Sequence, residues 1–144
     1  MGQRNRSELR GAVAVVGVGL TAFGTLPGRS ARENLAEAAF RALADVGINK
    51  SEVDGLFTSN FPDTFACLHA AEYLGISPKV MDDSNIGGSV YVSQLQHAAA
   101  AIEAGLCSVA QKIGFLAGAL DAGAMFVQGR AGLAHGAGRL CDRL

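Results

Sequence analysis

The stretch AVAVVGVG (12–19) is apolar without alternation and closes on glycines, the pattern of a strand covered on both faces. Pro27 and Gly28 mark a loop, and Ser30 and Glu33 then stand at capping-box spacing. Leu35, Ala39, Leu43 and Val46 follow at helical intervals, with Gly47 where a left-handed C-cap belongs. VDGLFTSN (53–60) reads as a second short strand. PDTFACLHAAEYLG (62–75) reads as a second helix, with Pro62 and Asp63 in its first turn and Gly75 closing it. KVMDD (79–83) reads as a third strand. GGSVYVSQLQHAAAAIEAG (87–105) is a long helical pattern, apolar on nearly all sides, and such a helix belongs inside a protein. LCSVAQKIGF (106–115) starts as a fourth strand. Strands alternating with helices predict an α/β fold, a parallel-type mixed sheet with helices on both faces.

The last quarter of the chain breaks this rhythm. Of the 34 residues from Gln111 to Leu144, 14 are Gly or Ala. Glycine loses the most backbone entropy on ordering, and small side chains return little burial energy. Residues 111–144 are therefore expected to form a poorly ordered tail, with IGFLAGALDAGAMFV able at most to dock as a helix. The division expected is 1–11 a polar extension, 12–110 the folded region and 111–144 the tail.

Composition narrows the function classes. Apolar residues make up 49 % and charged residues 17 %, the balance of a folded chain rather than a disordered one. A formal net charge of -1 argues against nucleic acid or an anionic membrane as partner. No apolar run is long enough to span a bilayer, and the polar, basic start is not followed by a secretory apolar segment. Cys67, Cys107 and Cys141 are far apart and odd in number. This argues against disulfides or a zinc site and fits a reducing cytoplasm.

Three motifs carry possible chemistry. Gly17-Val18-Gly19-Leu20-Thr21-Ala22 matches the dinucleotide fingerprint after a strand. A loop rather than a helix follows it, however, and the second strand ends in Thr58-Ser59-Asn60 without an acid for a ribose. A strand-end turn is the reading favoured. Gly87-Gly88-Ser89 on a strand–turn–helix resembles part of a nucleophile elbow, but Tyr91 stands where G-x-S-x-G needs its last glycine. Ser89 is then expected to serve as a hydroxyl in the first turn of the helix. His69, His97 and His135 have no ligand spacing, and His97, set among alanines, is expected to be a hydrogen-bonded core histidine. No thiol lies at a helix N-terminus, where it would be activated, and no metal site is expected.

Several strings together resemble the thiolase superfamily: VAVVGVGLTAFGTLPGRS, ALADVGINKSEVDGLFT, AEYLGISPKVMDDSNIGGS and HAAAAIEAGLC. The likeness covers about residues 12 to 110 and points to the lipid-transfer or sterol-carrier type, often labelled acetyl-CoA acetyltransferase. It implies part of one half of a two-half thiolase fold. In that family the turn before the buried helix carries a cysteine that takes an acyl group from a CoA thioester, its thiolate favoured by the helix dipole. Aligning the family's string on SNIGGS puts Gly87 at that position, so no catalytic residue is assigned in this chain. Asn85, Gly87, Gly88 and Ser89 remain as substrate-binding candidates, with acyl-CoA a substrate and no bound cofactor.

The resemblance therefore implies acyl-CoA or 3-ketoacyl-CoA handling, with acyl transfer disabled. A branch of the family with glycine at this place resembles retro-aldolases that cleave side-chain thioesters of steroids together with an OB-fold partner. A non-catalytic docking or homo-oligomerising module is the alternative from another class. The drift of the sequence after about residue 110 suggests a truncated or frame-shifted reading of a longer gene, or else a natural short paralogue.

Overall fold

A computed structural model of the chain describes residues 11–24, 27–59, 64–115 and 122–129. The elements run β1 (Val13–Leu20), α1 (Ala31–Val46), β2 (Gly55–Ser59), α2 (Ala66–Leu74), β3 (Val80–Asp83), α3 (Val90–Glu103), β4 (Val109–Phe115) and β5 (Ala122–Gly129). The five strands form one sheet in the order β1-β5-β4-β2-β3. β2 pairs in parallel with both β3 and β4, whereas β5 lies antiparallel between β4 and β1. Four strands thus point one way and only β5 is reversed, which makes this a mixed, mostly parallel α/β sheet.

Period-two alternation assigns the two faces. Leu56, Val109, Ile113, Ala124 and Phe126 pack under α1 and α2, through Leu35, Ala39 and Leu43 of α1 and Ala70 and Leu74 of α2. The intervening residues Phe57, Ala110 and Val127 pack under α3, through Ala98 and Ala101. α1 is held at its start by the capping box: the Glu33 amide donates to Ser30 Oγ at 3.2 Å, and the Ser30 amide donates to Glu33 Oε2 at 2.6 Å. Gly47 ends it at φ 68°, in the left-handed region.

The Gly17-x-Gly19 pair has a packing explanation. A Cβ on Gly17 would sit 2.6 Å from Val46 Cγ1 and 2.8 Å from the Ala42 carbonyl oxygen. One on Gly19 would collide with the Ala38 carbonyl and the Ala42 amide. The glycines let α1 lie directly on β1, and the loop after β1 presents no helix N-terminus to a phosphate.

The tail expectation is corrected in part. β4 continues to Phe115, and 122–129 form β5, an inner strand between β1 and β4. The reason is tertiary: backbone bonding on both sides to β1 and β4, with Phe126 and Val127 buried, orders a segment otherwise made of small residues. Residues 116–121 and 130–144, with Cys141 and His135, lie outside the described residues. α3 also departs from expectation. It begins at Val90 after a single 3-10 turn over Gly87–Ser89, and buries only Val90, Gln94, Ala98 and Ala101. On its outward face Val92 is 73 % exposed among the described residues. No helix of the described residues is long and apolar enough to cross a membrane.

Candidate functional site

The carboxyl ends of β2, β3 and β4 point to the same edge of the sheet, where α/β folds place their ligands. There β3 gives way to the turn Ser84–Ile86 and then to the N-terminus of α3. Asn85, Gly87, Gly88 and Ser89, the four candidates, are brought together on this turn and all are exposed. Gly87 has φ 76°, the left-handed conformation that suits glycine, and nothing lies within 4 Å of where its Cβ would be. The space around Gly88 is equally open. What the turn offers is backbone: the N–H groups of the 3-10 turn Gly87–Ser89, at the positive end of the α3 dipole, the Val90 amide being already donated to the Gly87 carbonyl.

Ser89 does not play its expected part. Its hydroxyl donates back to the Ile86 carbonyl at 3.2 Å and accepts no hydrogen bond from α3. It therefore tightens the turn rather than capping the helix. Gln94, fully buried, anchors α3 to the end of β2 by donating through Nε2 to the Thr58 carbonyl at 2.5 Å. Because β2 is the middle of the parallel strands, this bond fixes the height of the turn above the sheet.

His97 is hydrogen-bonded but not a core residue. Its side chain is 50 % exposed and its Nδ1 meets Asp82 Oδ2 at 2.5 Å, while Ser84 Oγ donates to Asp82 Oδ1 at 2.7 Å. β3 is an edge strand, so a helix residue facing it reaches solvent, which an alanine-rich sequence context does not reveal.

Contrary to expectation, Cys67 lies in the first turn of α2, yet neither it nor Cys107 is activated, because both are buried. Burial, reinforced by Asp83, pushes Cys67 up to about 12, and its Sγ donates to the Leu56 carbonyl at 3.2 Å. Burial followed by the nearby Asp54 pushes Cys107 up to about 11. Among the described residues no cluster of three or more His, Cys, Asp or Glu could hold a metal ion.

One group was missed from sequence. Lys112, on the α3 face of β4, is only 4 % exposed, and burial pushes its amine down to about 8. Its Nζ lies 3.8 Å from the centroid of the Tyr91 ring, and that ring packs onto the bare backbone of Gly114. A lysine two residues before a glycine, inside the strand VAQKIGF, was the available signal.

No protein-family model matches the sequence. Among curated proteins, the chain is 38 % identical over 104 residues to a steroid side-chain-cleaving aldolase of Thermomonospora curvata, covering 72 % of this chain and 26 % of that protein. It is 37 % identical over 102 residues to a 17-hydroxy-3-oxo-4-pregnene-20-carboxyl-CoA lyase of Mycobacterium tuberculosis, covering 70 % and 26 %. The chain thus spans about a quarter of the length of the curated relatives it matches. Among solved structures, the Ltp2-ChsH2(DUF35) aldolase superposes with a TM-score of 0.66 at 34 % identity, over 74 % of this chain and 28 % of that one. An SCP2-thiolase-like protein of Mycobacterium smegmatis superposes with a TM-score of 0.60 at 25 % identity, over 72 % and 23 %. OleA of Xanthomonas campestris reaches a TM-score of 0.71 at 14 % identity over 82 % and 58 %, a likeness of fold alone. With its strand order, its turn before α3 and these similarities, the chain is a member of the thiolase-like superfamily, spanning part of that fold.

Proposed function

We propose that the chain belongs to a carbon–carbon lyase acting on CoA thioesters, a retro-aldolase on a thiolase-like fold, rather than to an acyltransferase. The observation that carries this reading is Gly87: at the family's nucleophile position stands a residue with no side chain, facing open space. Acyl transfer through an enzyme thioester needs a sulfur there, and a retro-aldol cleavage does not. The similarity to an aldolase and a CoA lyase supports the same choice.

The chemistry follows from the substrate class. In the name of the mycobacterial relative's substrate the hydroxyl is on carbon 17 and the CoA-bearing carboxyl on carbon 20, which makes it a β-hydroxyacyl thioester. A base removes the hydroxyl proton, the bond between the hydroxyl-bearing carbon and the α-carbon breaks, and its electron pair moves to the thioester carbonyl as an enolate. A proton returned to the α-carbon leaves a ketone and a shortened acyl-CoA. The turn's role is electrostatic: N–H groups at the start of α3 face the developing enolate oxygen, with Gly87 and Gly88 leaving room for the thioester. Asn85 and Ser89 shape the turn. No bound cofactor is needed. A partner subunit with an OB-fold belongs to this reading, as does self-association, and the acid–base groups are assigned to parts of the assembly beyond these residues.

The test is intact-mass analysis of the protein after incubation with acetyl-CoA, acetoacetyl-CoA and a β-hydroxyacyl-CoA carrying a ring ketone precursor, alongside titration calorimetry of each. The reading expects thioester binding weakened by Gly88→Val, and no covalent acyl adduct. An adduct mapped to residues 84–92, or acyl transfer between thioesters, would overturn it.

A further inference from the structure

We propose that Lys112 is a nucleophilic amine, built to take an apolar aldehyde or ketone as a reversible imine. Three observations converge on it. First, the amine is buried without a counter-charge: among the described residues no carboxylate lies within ion-pair distance of Nζ. Lys79 is by contrast 73 % exposed and paired with Asp54 at 3.4 Å, and Lys50 donates to the Leu74 carbonyl at 3.2 Å. Second, its surroundings are aromatic. Lys112 is in register with the buried Phe57 of β2 and lies against the Tyr91 ring. Third, Tyr91 is only partly buried and belongs to the first turn of α3, next to the open Gly87-Gly88 turn. The Tyr91 ring, seated on the side-chain-free Gly114, therefore links the amine to the end of β4 and the start of α3, where the candidate site lies.

Desolvation without a partner is the way proteins keep a lysine uncharged near neutrality, and only the uncharged amine attacks a carbonyl. The Nζ lone pair adds to the carbonyl carbon, and the oxygen takes a proton to give a carbinolamine. Loss of water then forms the C=N bond. Hydrolysis reverses both steps, so no oxidant or reductant is consumed. The Tyr91 and Phe57 rings select an apolar carbonyl compound over a charged one. The site stands whether or not the lyase reading does, because the burial of Lys112 and its contact with Tyr91 do not depend on what the Gly87-Gly88 turn binds.

The test is labelling of the whole chain with benzaldehyde at pH 7, with cyanoborohydride supplying hydride to fix any imine as a benzylamine, followed by peptide mapping. The sequence holds three lysines, Lys50, Lys79 and Lys112, which act as internal references. Lys112 is expected to label faster than the other two by about tenfold or more, because a larger fraction of it is uncharged. Repeating the reaction across pH should place the midpoint of Lys112 labelling below the ordinary lysine value of 10.5. Tyr91→Ala should speed labelling at Lys112 and leave the other two unchanged. Equal rates at the three lysines, preference for Lys50 or Lys79, or labelling of Lys112 only after denaturation would overturn the proposal.

Discussion

Replacing Lys112 by Met tests the cost of burying an amine. Methionine has a similar length and flexible, apolar reach, so the space beside Phe57 and Tyr91 stays filled. In the unfolded chain the amine titrates near 10.5, and in the folded chain burial brings it to about 8. Below pH 8 both states are protonated, and the folded state carries the full penalty, about 3 kcal/mol for a shift of this size. Between pH 8 and 10.5 the unfolded chain binds the proton that the folded chain has lost, so this penalty fades as pH rises. Lys112→Met removes it at every pH. The stability advantage of the variant is therefore expected to have a pH-dependent part of about 3 kcal/mol at pH 7, about 2 at pH 9 and under about 0.5 at pH 10.5. Cys67 and Cys107, whose folded values are raised, lower stability as pH climbs past 9, but they do so in both proteins and cancel in the difference. The assay is urea unfolding followed by circular dichroism at these three pH values. A gap that stays constant, or widens with pH, would show that Lys112 is solvated or paired and refute the reasoning.

Other outcomes follow from single contacts. Gly19→Ala, which drives a methyl into the α1 backbone, should cost about 2 kcal/mol or more and lower the melting temperature, with no change in NAD affinity because none is expected to begin with. Ser30→Ala should cost about 1 kcal/mol by the same melt, through loss of the α1 cap. Asp54→Ala should cost about 2 kcal/mol, since Oδ1 accepts from the Ser108 and Val109 amides at 2.8 and 2.9 Å at the entry to β4. Asp54→Asn, which keeps an acceptor, should cost less. Gly87→Cys should give a thiol that iodoacetamide modifies before Cys67 or Cys107, at about 1 kcal/mol in stability for a side chain at φ 76°. Modification at equal rates would show that the helix N-terminus does not activate this position.

The legible part of the fold was the part whose side chains speak for themselves. The valine-rich run of β1, the Ser30–Glu33 box and Gly47 announced a strand and a bounded helix, and the structure keeps both elements; it corrects the expectation that the strand is covered on both faces, because β1 is an edge strand with Val15, Val18 and Leu20 exposed. β5 was illegible because AGAMFVQG has small residues and glycines, and its strand is imposed by two flanking partners rather than by its own sequence. At the site, the turn and its missing nucleophile could be read from SNIGGS. The exposure of His97 and the burial of Lys112 could not, since each depends on which strand lies opposite: the edge strand β3 for one, the inner strand β4 for the other.

The position of β5 also sets the order in which the molecule can be made. Among the described residues β1 is hydrogen-bonded to no strand but β5, with Val13 paired to Gly129, so the two ends of the described chain meet in one ladder. On a ribosome that has released the chain only as far as Glu103, β2 and β3 can already pair, while β1 has α1 for company but no strand beside it. Closing the sheet means bringing together segments separated by almost everything in between, a slow, high-contact-order step. Until then the edge of β1 that pairs with β5 is an unpaired strand edge, of the kind to which another extended chain can add.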